Sequence, residues 1–474
     1  MKFTKFGKAL LLSALSAGVI LGVTSCIESY ATGYLYVTGT VTAQAGGNGI
    51  ISGFSIDHNT GKLTPIHGLP ISSGGANPVR AVLITGSRFL FVLNRGVNAA
   101  GNGDCTTATP CTGSNITEYA VGGNGILTAQ ETFYTQGINP FRLIADTSGE
   151  YLYVLDHDSP VTLADGTEVP SSSTNPNSNC GLALGNSVTT CGDITAFKID
   201  STTGRLQLIV NAQVTAANGA ALPYFPIPSN PVDFVEASSS FITLFGTSTA
   251  TSYPYTGGSS VFPYTFSSGN GQLTVSTVGA GKLTDGSPSG VPSAEAIVYA
   301  GGVLYVLDNN ATTADFSFNG GTPIMYYSQI LPYSVGAGGA LQAEPGGIVP
   351  DDPTLSNPIT LLLESKGKYL YVANQGNDTT GPEADSGYAG YFLNTSGSYY
   401  LSFISGEPFG SGSGPQCLVE DPSDQFIYSA DSYDSSVTGR VIDPNSGELN
   451  NLRVASSYSL QGPATWCLID GRTN

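Results

Sequence analysis

The chain repeats one short pattern seven times, and this repeat constrains its fold more than any single motif. Each copy opens with an aromatic or apolar strand, first seen as Tyr34-Leu-Tyr-Val. Successive copies begin 55 to 90 residues apart, at Tyr34, Phe89, Tyr151, Phe241, Val303, Tyr369 and Phe426. A repeat of this length indicates structural units that bury their apolar faces only by stacking on neighbouring copies.

Two further elements accompany each opener. A strand and a glycine turn follow it, first as Phe54-Ser-Ile-Asp57 leading to Gly61, and glycine supplies the positive φ of a tight hairpin. A proline precedes each opener, where a strand can begin without losing a ladder donor. These prolines are Pro78, Pro140, Pro231, Pro292, Pro358, Pro415 and Pro463. Four strands per copy, named A to D, predict an all-β, seven-bladed β-propeller of antiparallel blades.

The two ends of the repeat region are complementary. The repeat region starts at the second strand (B) of a blade, with Tyr34. It finishes with the first strand (A) of a blade, 463–470, for which no following B strand remains. We therefore expect the C-terminal strand to join the N-terminal blade and close the ring. The predicted domains are an export signal over 1–25, a tether over 26–33 and the propeller over 34–474.

The net charge of the chain limits the classes of partner that it can bind. Sixteen basic residues against 35 acidic ones give a net charge of −19, which disfavours nucleic acid as a partner. After the N-terminus no run reaches the roughly 18 apolar residues of a membrane helix. A monomer is expected.

The N-terminus predicts export. Three lysines, at positions 2, 5 and 8, precede a short apolar run over 9–22, as in a signal peptide. The run ends in Val23-Thr24-Ser25-Cys26, which resembles a bacterial lipobox and implies acylation of Cys26. The alternative is an ordinary cleaved signal with a free cysteine nearby. Ile27, and not Asp, follows the cysteine. By resemblance to the sorting rule of Gram-negative lipoproteins, this favours the outer membrane, where the lipid would be the only contact with the membrane.

Six cysteines remain, an even number that predicts three disulfides in an oxidising compartment. Closeness within loop sequence suggests Cys105 with Cys111 and Cys180 with Cys191. Cys417 and Cys467 would then pair by elimination, although fifteen connectivities are formally open.

The leading proline, the Tyr-Leu-Tyr-Val strand and the Ile-Asp-x-x-Thr-Gly-x-Leu hairpin together resemble the seven-bladed lactonase family. That family includes 6-phosphogluconolactonase-like and cycloisomerase-like enzymes and surface propellers named for Tyr-Val-Thr-Asn repeats. The resemblance covers about residues 30–474 and implies a propeller acting on a lactone. The family often carries histidine and arginine near the proline; Arg80 and Arg142 match the arginine, whereas no predicted A strand contains a histidine.

The long inserts lie in B–C or D–A connections, which emerge on one face of a propeller. They are 96–115, 156–192, 212–229, 246–260, 308–323, 342–356 and 375–387. Loops carried on a rigid scaffold commonly hold function, so we expect the site on this decorated face.

The residue two positions after each leading proline is expected at the channel mouth. These residues are Arg80, Arg142, Thr360, Cys417 and Thr465, with Asp233 and Glu295 in a register uncertain by one residue. Arginine can bind a carboxylate bidentately, and a carboxylate can activate water. The sequence thus suggests Arg80, Arg142 and Thr360 for ligand binding and Asp233 or Glu295 as base. The alternative is a set of structural ion pairs between neighbouring A strands.

His157, within Asp156-His157-Asp158, is the one candidate catalytic histidine, with a metal ligand or a solvated loop as alternatives. Segments 308–310, 374–378 and 431–434 could bind calcium, but Asn and Asp are also ordinary turn residues. We predict no metal site, and calcium is the one cofactor left open.

These observations lead to two alternative hypotheses about function. The first is a lipid-anchored hydrolase of a small lactone or sugar-acid derivative. The second is a non-catalytic surface propeller that binds a glycan, peptide or partner protein. Unpaired arginines and carboxylates around an open pocket would favour the enzyme, and mutual salt bridges closing the channel would favour the binder.

Overall fold

Seven antiparallel sheets form a closed ring, which confirms the predicted seven-bladed propeller. The computed structural model of the chain describes residues 30–41, 47–84, 88–185, 188–237, 240–245, 259–276, 281–283, 294–309, 312–314, 324–377, 385–394 and 400–471. The predicted signal segment and Cys26 lie outside these ranges. Among the described residues, no helix combines the length and the apolar character that a membrane crossing requires.

Each blade has strands A to D from the channel outward, and in six blades strand D is split into two short segments. Blade 1 contains Ala464–Asp470, Ala31–Gly39, Asn48–Asp57, Leu63–Pro65 and Ile71–Ala76. Blade 2 contains Pro78–Leu83, Phe89–Asn94, Asn115–Val121 and Leu127–Phe133. Blade 3 contains Ile138–Ala145, Tyr151–Asp158, Gly192–Ile199, Leu206–Leu208 and Phe225–Ile227. Blade 4 contains Pro231–Ala237, Ser240–Phe245, Ser260–Phe266, Leu273–Val275 and Gly281–Lys282.

The remaining blades follow the same plan. Blade 5 contains Ala294–Ala300, Val303–Asp308, Gln329–Val335, Leu341–Ala343 and Val349–Pro350. Blade 6 contains Pro358–Leu363, Tyr369–Asn374, Gly387–Leu393, Leu401–Phe403 and Phe409–Gly410. Blade 7 contains Pro415–Glu420, Phe426–Asp431, Ser436–Ile442, Leu449–Asn451 and Ser457–Ser459.

Ring closure occurs in blade 1, as the sequence predicts. The C-terminal strand pairs antiparallel with the first described strand, with Tyr34 opposite Asp470 and Val37 opposite Cys467. The seven A strands contact one another in sequence around the channel. The two ends of the propeller domain are thus held by one sheet.

The repeated Asn-Pro motif has a conformational cause. Asn77, Asn139, Asn230 and Asn357 all have a φ between +55° and +59°, a region that asparagine tolerates better than most residues. Blade 7 has Gly414 there, with φ +75°. A bulge follows between the proline and the second residue after it, and this register recurs in the A strands.

The tyrosines of the opener hold neighbouring blades together. The third opener residue donates its hydroxyl to the carbonyl of a C–D turn glycine in the next blade. These bonds are Tyr36 to Gly125, Tyr153 to Gly271, Tyr371 to Gly447 and Tyr428 to Gly61, at 2.6 to 2.9 Å. The first opener aromatic packs on the same glycine: a Cβ on Gly125 would lie 2.6 Å from the Tyr34 ring. Glycine therefore provides both the positive φ and the close approach.

The core consists of apolar layers between blades rather than one central mass. The described residues contain a buried cluster for every neighbouring pair of blades, such as Leu90, Val92 and Tyr36 between blades 1 and 2 and Phe234, Phe241 and Tyr153 between blades 3 and 4. Stacked sheets of this kind form a rigid frame around the channel.

All three predicted disulfides are present: Cys105–Cys111, Cys180–Cys191 and Cys417–Cys467. The first two lie in the B–C inserts of blades 2 and 3. The second of these inserts holds the Pro160–Thr162 and Glu168–Pro170 hairpin and the helix Ser178–Leu184. The insert at 212–229 differs from the expectation, because its Asn211–Thr215 and Ala221–Leu222 hairpin interrupts strand D of blade 3.

Candidate functional site

The bulges of the A strands decide which side chains share one level of the channel. Pairing with strand B gives Arg80, Arg142, Asp233, Thr360 and Cys417 the same register, two residues past the proline. In blade 5 Ala296 takes this position, so Glu295 is the bulged residue before it. In blade 1 Trp466 lies opposite Thr38, and Ala464, not Pro463, pairs at the strand start. Trp466 thus takes the place expected of Thr465.

Asp233 is the centre of the charged cluster. Its Oδ1 accepts a hydrogen bond from Arg142 Nε at 3.0 Å and lies 3.9 Å from an Nη atom of Arg80. The backbone amides of Phe234 and Ile297 donate to its two oxygens, at 2.9 and 3.2 Å. Both oxygens of this buried carboxylate are occupied, so Asp233 is suited to positioning the arginines rather than to accepting a proton.

Arg80 contacts the single tryptophan of the chain. Its guanidinium carbon lies 3.5 Å from the Trp466 ring centroid, a cation–π contact across blades 2 and 1. Burial and the nearby Arg142 lower the pKa of Arg80 to about 9, while Asp233 opposes the shift. Arg80 remains protonated at neutral pH, and two guanidinium charges therefore face one aspartate.

Glu295 is the second carboxylate near this level. It makes no hydrogen bond or ion pair with the described residues, and its described electrostatic partner is Arg142. Burial raises the pKa of Glu295, and Arg142 opposes the shift. A half-buried carboxylate with free lone pairs and a raised pKa is the type of group that serves as a general base near neutral pH.

His157 lies on the loop side of this cluster. Its Nδ1 is 3.1 Å from Oδ2 of Asp158, and its ring packs edge-on to Phe141 at 6.2 Å. The Phe141 ring in turn lies 5.5 Å from the Arg142 guanidinium. His157 is therefore connected to Arg142 by an aromatic contact and not by a described hydrogen bond.

Two residues at the cluster, Trp466 and Arg95, are not among those that the sequence predicts. The position of Trp466 is not predicted because strand pairing, and not the distance from the proline, decides the register. Arg95 directly follows strand B of blade 2, and both its burial and the charge of Arg142 lower its pKa. Its Nη atoms donate to the carbonyl oxygens of Gly103 and Cys105. Three of the sixteen basic residues thus gather at one end of the channel of an acidic protein.

The candidate calcium segments have other described roles or fall partly outside the described residues. The carboxylate of Asp431 accepts hydrogen bonds from the hydroxyls of Ser429, Ser436 and Thr438. Asn310 and Asp378 lie outside the described ranges. Among the described residues, no group of three or more His, Cys, Asp and Glu side chains is arranged to hold a metal ion.

Comparisons with known proteins bear on the fold. No protein-family model matches the chain, and no curated protein matches its sequence. The structure of a Pseudomonas aeruginosa periplasmic gluconolactonase is similar, with 15% identity and a TM-score of 0.57 over 92% of this chain and 99% of that one. The shared feature is the fold.

Two Bacteroides structures, each described as a candidate 6-phosphogluconolactonase, are similar to the same degree. The B. uniformis protein has 13% identity and a TM-score of 0.56, covering 93% of this chain and 100% of its own. The B. fragilis protein has 14% identity and a TM-score of 0.56, covering 93% and 98%. At such identities the likeness shows the propeller fold alone, and the chemistry must be argued from the site itself.

Proposed function

We propose that this protein hydrolyses a small lactone or sugar-acid derivative at the channel end formed by Arg80, Arg142, Asp233 and Glu295. The observation that carries the proposal is the contrast between two carboxylates. Asp233 is fully engaged and holds two arginines, whereas Glu295 has no described hydrogen bond and a raised pKa. An excess guanidinium beside an available base suits attack of water on a polarised carbonyl.

In the proposed reaction Arg142 and Arg80 hold the lactone carbonyl oxygen. The Glu295 carboxylate takes a proton from water as the water oxygen bonds to the carbonyl carbon. Collapse of the tetrahedral oxyanion breaks the ring C–O bond, and the departing alkoxide takes the proton back from Glu295. The product is a hydroxy acid; its new carboxyl group releases the second proton of the water to solvent, and the resulting carboxylate remains opposite the arginines. The gluconolactonase and candidate 6-phosphogluconolactonases of similar fold support a lactone as the class of substrate.

The test is hydrolysis of a panel of sugar-acid and aliphatic lactones by the purified protein and by Glu295→Gln. We expect the variant to lose 10²-fold to 10⁴-fold in kcat/KM, the usual contribution of a general base. Glu420→Gln is the matched control, since burial also raises the pKa of Glu420, but its carboxylate accepts hydrogen bonds from the backbone amide and hydroxyl of Ser365 in the A–B turn of blade 6. Equal activity of Glu295→Gln and wild type would exclude Glu295 as the base.

A binding propeller is the second candidate, and one observation favours it. Arg142 and Asp233 form a direct ion pair at 3.0 Å, and Arg80 is stacked on Trp466. Such mutual pairing is expected of a channel closed for structural reasons. In that case the long loops would bind a glycan, peptide or protein, and no lactone would be hydrolysed.

We further propose that the protein acts outside the cytoplasm, anchored through Cys26. Three disulfides support an oxidising compartment, and the similar gluconolactonase is periplasmic. Metabolic labelling with a palmitate analogue tests the anchor: we expect label in the membrane fraction, and none in Cys26→Ser. Label retained by Cys26→Ser, or an unlabelled wild type, would contradict acylation at this cysteine.

A further inference from the structure

The central channel holds a cavity of about 470 Å³ next to the charged cluster. At one end it is lined by Arg80, Asp233, Thr360 and Trp466, and at the other it reaches the A–B turn at Asp146 and Thr147. The cavity therefore runs from the cluster toward the face with short turns. Its volume lies within the usual range of small-molecule sites, roughly 300 to 1,000 Å³.

The cluster end of this cavity offers hydrogen-bond donors. Arg80 is the one basic side chain among the described lining residues, and none of its five N–H donors makes a hydrogen bond with a described residue. Its ion pair with Asp233, at 3.9 Å, is too long for a hydrogen bond. The hydroxyl of Thr360 likewise has no described hydrogen-bond partner. An anionic or carbonyl oxygen would satisfy both groups.

The walls beyond Arg80 are apolar. The residues Val82, Leu83, Ile144, Ala145, Val235 and Val298 line them, and each is partly buried against the apolar layer between two blades. The carboxylate at the far end, Asp146, is turned into its own loop, where it accepts hydrogen bonds from Tyr151 N and from Ser148. Among the described lining residues, the far end thus presents no cation for a second anionic group such as a phosphate.

We propose that the channel binds an amphipathic monocarboxylate, with its head on Arg80 and Thr360 and its aliphatic chain along the wall toward the A–B turns. Charge complementarity fixes the head, and the apolar wall fixes the chain. This inference deepens the proposed function by naming aliphatic acids, and their lactones, as its ligand class. Because it is tested by binding alone, it can fail while hydrolysis of a sugar lactone succeeds, and the reverse is equally distinguishable.

Trp466 supplies the measurement. It is the only tryptophan of the chain and lines the cavity, so its fluorescence reports on this site directly. Purified protein is titrated with hexanoate, octanoate and decanoate below their micelle concentrations, and with gluconate as a polar monocarboxylate. We expect saturable fluorescence changes for the fatty acids, with Kd tightening up to about fourfold per added methylene. Gluconate should bind more weakly than octanoate.

Two variants distinguish the contact of the ligand's carboxylate from the contacts of its aliphatic chain. Arg80→Gln should weaken binding of every chain length by at least 10-fold, whereas Ala145→Leu, which fills the wall away from Arg80, should weaken decanoate more than hexanoate. Arg205→Gln is the matched control, because Arg205 is exposed and pairs with Glu131 on the outer surface; its titration should equal that of wild type. If Arg80→Gln fails to fold by circular dichroism, the Ala145→Leu series decides alone. Affinity independent of chain length, gluconate binding as tightly as octanoate, or no fluorescence change with any acid would overturn the proposal.

Discussion

At the scale of single residues, Glu295 and Asp233 show how the same functional group comes to lie in two different environments. Asp233 accepts hydrogen bonds on both oxygens and orients Arg142. Glu295 has lost part of its hydration without gaining hydrogen bonds, which is why its pKa is raised.

This difference predicts a pH dependence. Only ionised Glu295 can accept a proton, so kcat/KM for lactone hydrolysis should rise with pH through the raised pKa of Glu295 and then level off. The measurement is a pH–rate profile from pH 4 to 8. The ascending limb should vanish in Glu295→Gln and persist in Glu420→Gln. An ascending limb that survives in Glu295→Gln would assign it to another group.

A second carboxylate pair predicts a stability effect. Asp156 and Asp193 lie directly opposite each other on strands B and C of blade 3, and both are fully buried. Other blades have Asn94 opposite Asn115 or Asp431 opposite Ser436 at this position. Burial raises the pKa of Asp156 to about 7 and, together with Asp156, raises the pKa of Asp193 well above its usual value. Both raised pKa values favour a proton held by the pair in the folded protein.

Because the folded pKa values are raised, the stabilising contribution is complete below the unfolded pKa of about 3.9 and is lost as pH rises through about 7. One retained proton corresponds to a slope of up to about 1.4 kcal/mol per pH unit. Urea unfolding between pH 5 and 8 should show a smaller loss of stability for Asp193→Asn than for wild type. The amide N–H of the new side chain can donate a hydrogen bond to ionised Asp156, so no titratable proton has to be held between the two groups. Parallel pH curves for the two proteins would contradict a shared proton.

At the scale of structural elements, the opener motif is explained by contacts between blades. The hydroxyl of Tyr371 donates to the buried turn carbonyl of Gly447 at 2.7 Å. Tyr371→Phe leaves that acceptor unpaired, so we expect a loss of about 1 kcal/mol in the free energy of unfolding. Tyr134→Phe, at a tyrosine that is 63% exposed, is the control and should change nothing measurable. Equal stability of Tyr371→Phe and wild type would show that the bond contributes nothing net.

Elements also show what the sequence can predict. Glycine turns, opener strands and leading prolines are local signals with local causes, so the seven blades and the shared register of Arg80, Arg142, Thr360 and Cys417 follow from spacing. The position of Trp466 does not follow, because pairing with Thr38 across the ring closure sets it. The stacking of Arg80 on that ring and the approach of Arg95 to Arg142 are likewise contacts between distant segments.

At the scale of the whole molecule, ring closure depends on one sheet and one disulfide. Cys417–Cys467 joins the A strands of blades 7 and 1 across a separation of 50 residues, whereas Cys105–Cys111 closes a separation of 6. Loop entropy alone assigns about 4 kcal/mol to the first and about 2 kcal/mol to the second. Urea unfolding of the Cys417→Ser, Cys467→Ser double variant should therefore show the larger loss. A larger loss in the Cys105→Ser, Cys111→Ser variant would mean that the Cys417–Cys467 disulfide does not stabilise ring closure.

The negative net charge of the whole molecule contrasts with the basic residues at one end of the channel. A chain of net charge −19 gathers Arg80, Arg95 and Arg142 at one end of its axis, where the surrounding sheets exclude much of the solvent. Asp233, Asp104 and Asp158 balance part of this positive charge, but the guanidinium groups of Arg80 and Arg142 share the one carboxylate of Asp233, which leaves room for a further anion beside them. This arrangement is the basis for the lactone hydrolysis that we propose at the channel.

The most direct test is lactone hydrolysis by the purified protein beside an Arg80→Ala, Arg142→Ala double variant that is shown to be folded. We expect turnover of at least one sugar-acid or aliphatic lactone by wild type and its loss in the double variant. Absence of turnover on every lactone, or equal turnover by the folded double variant, would contradict an active site at the arginine cluster.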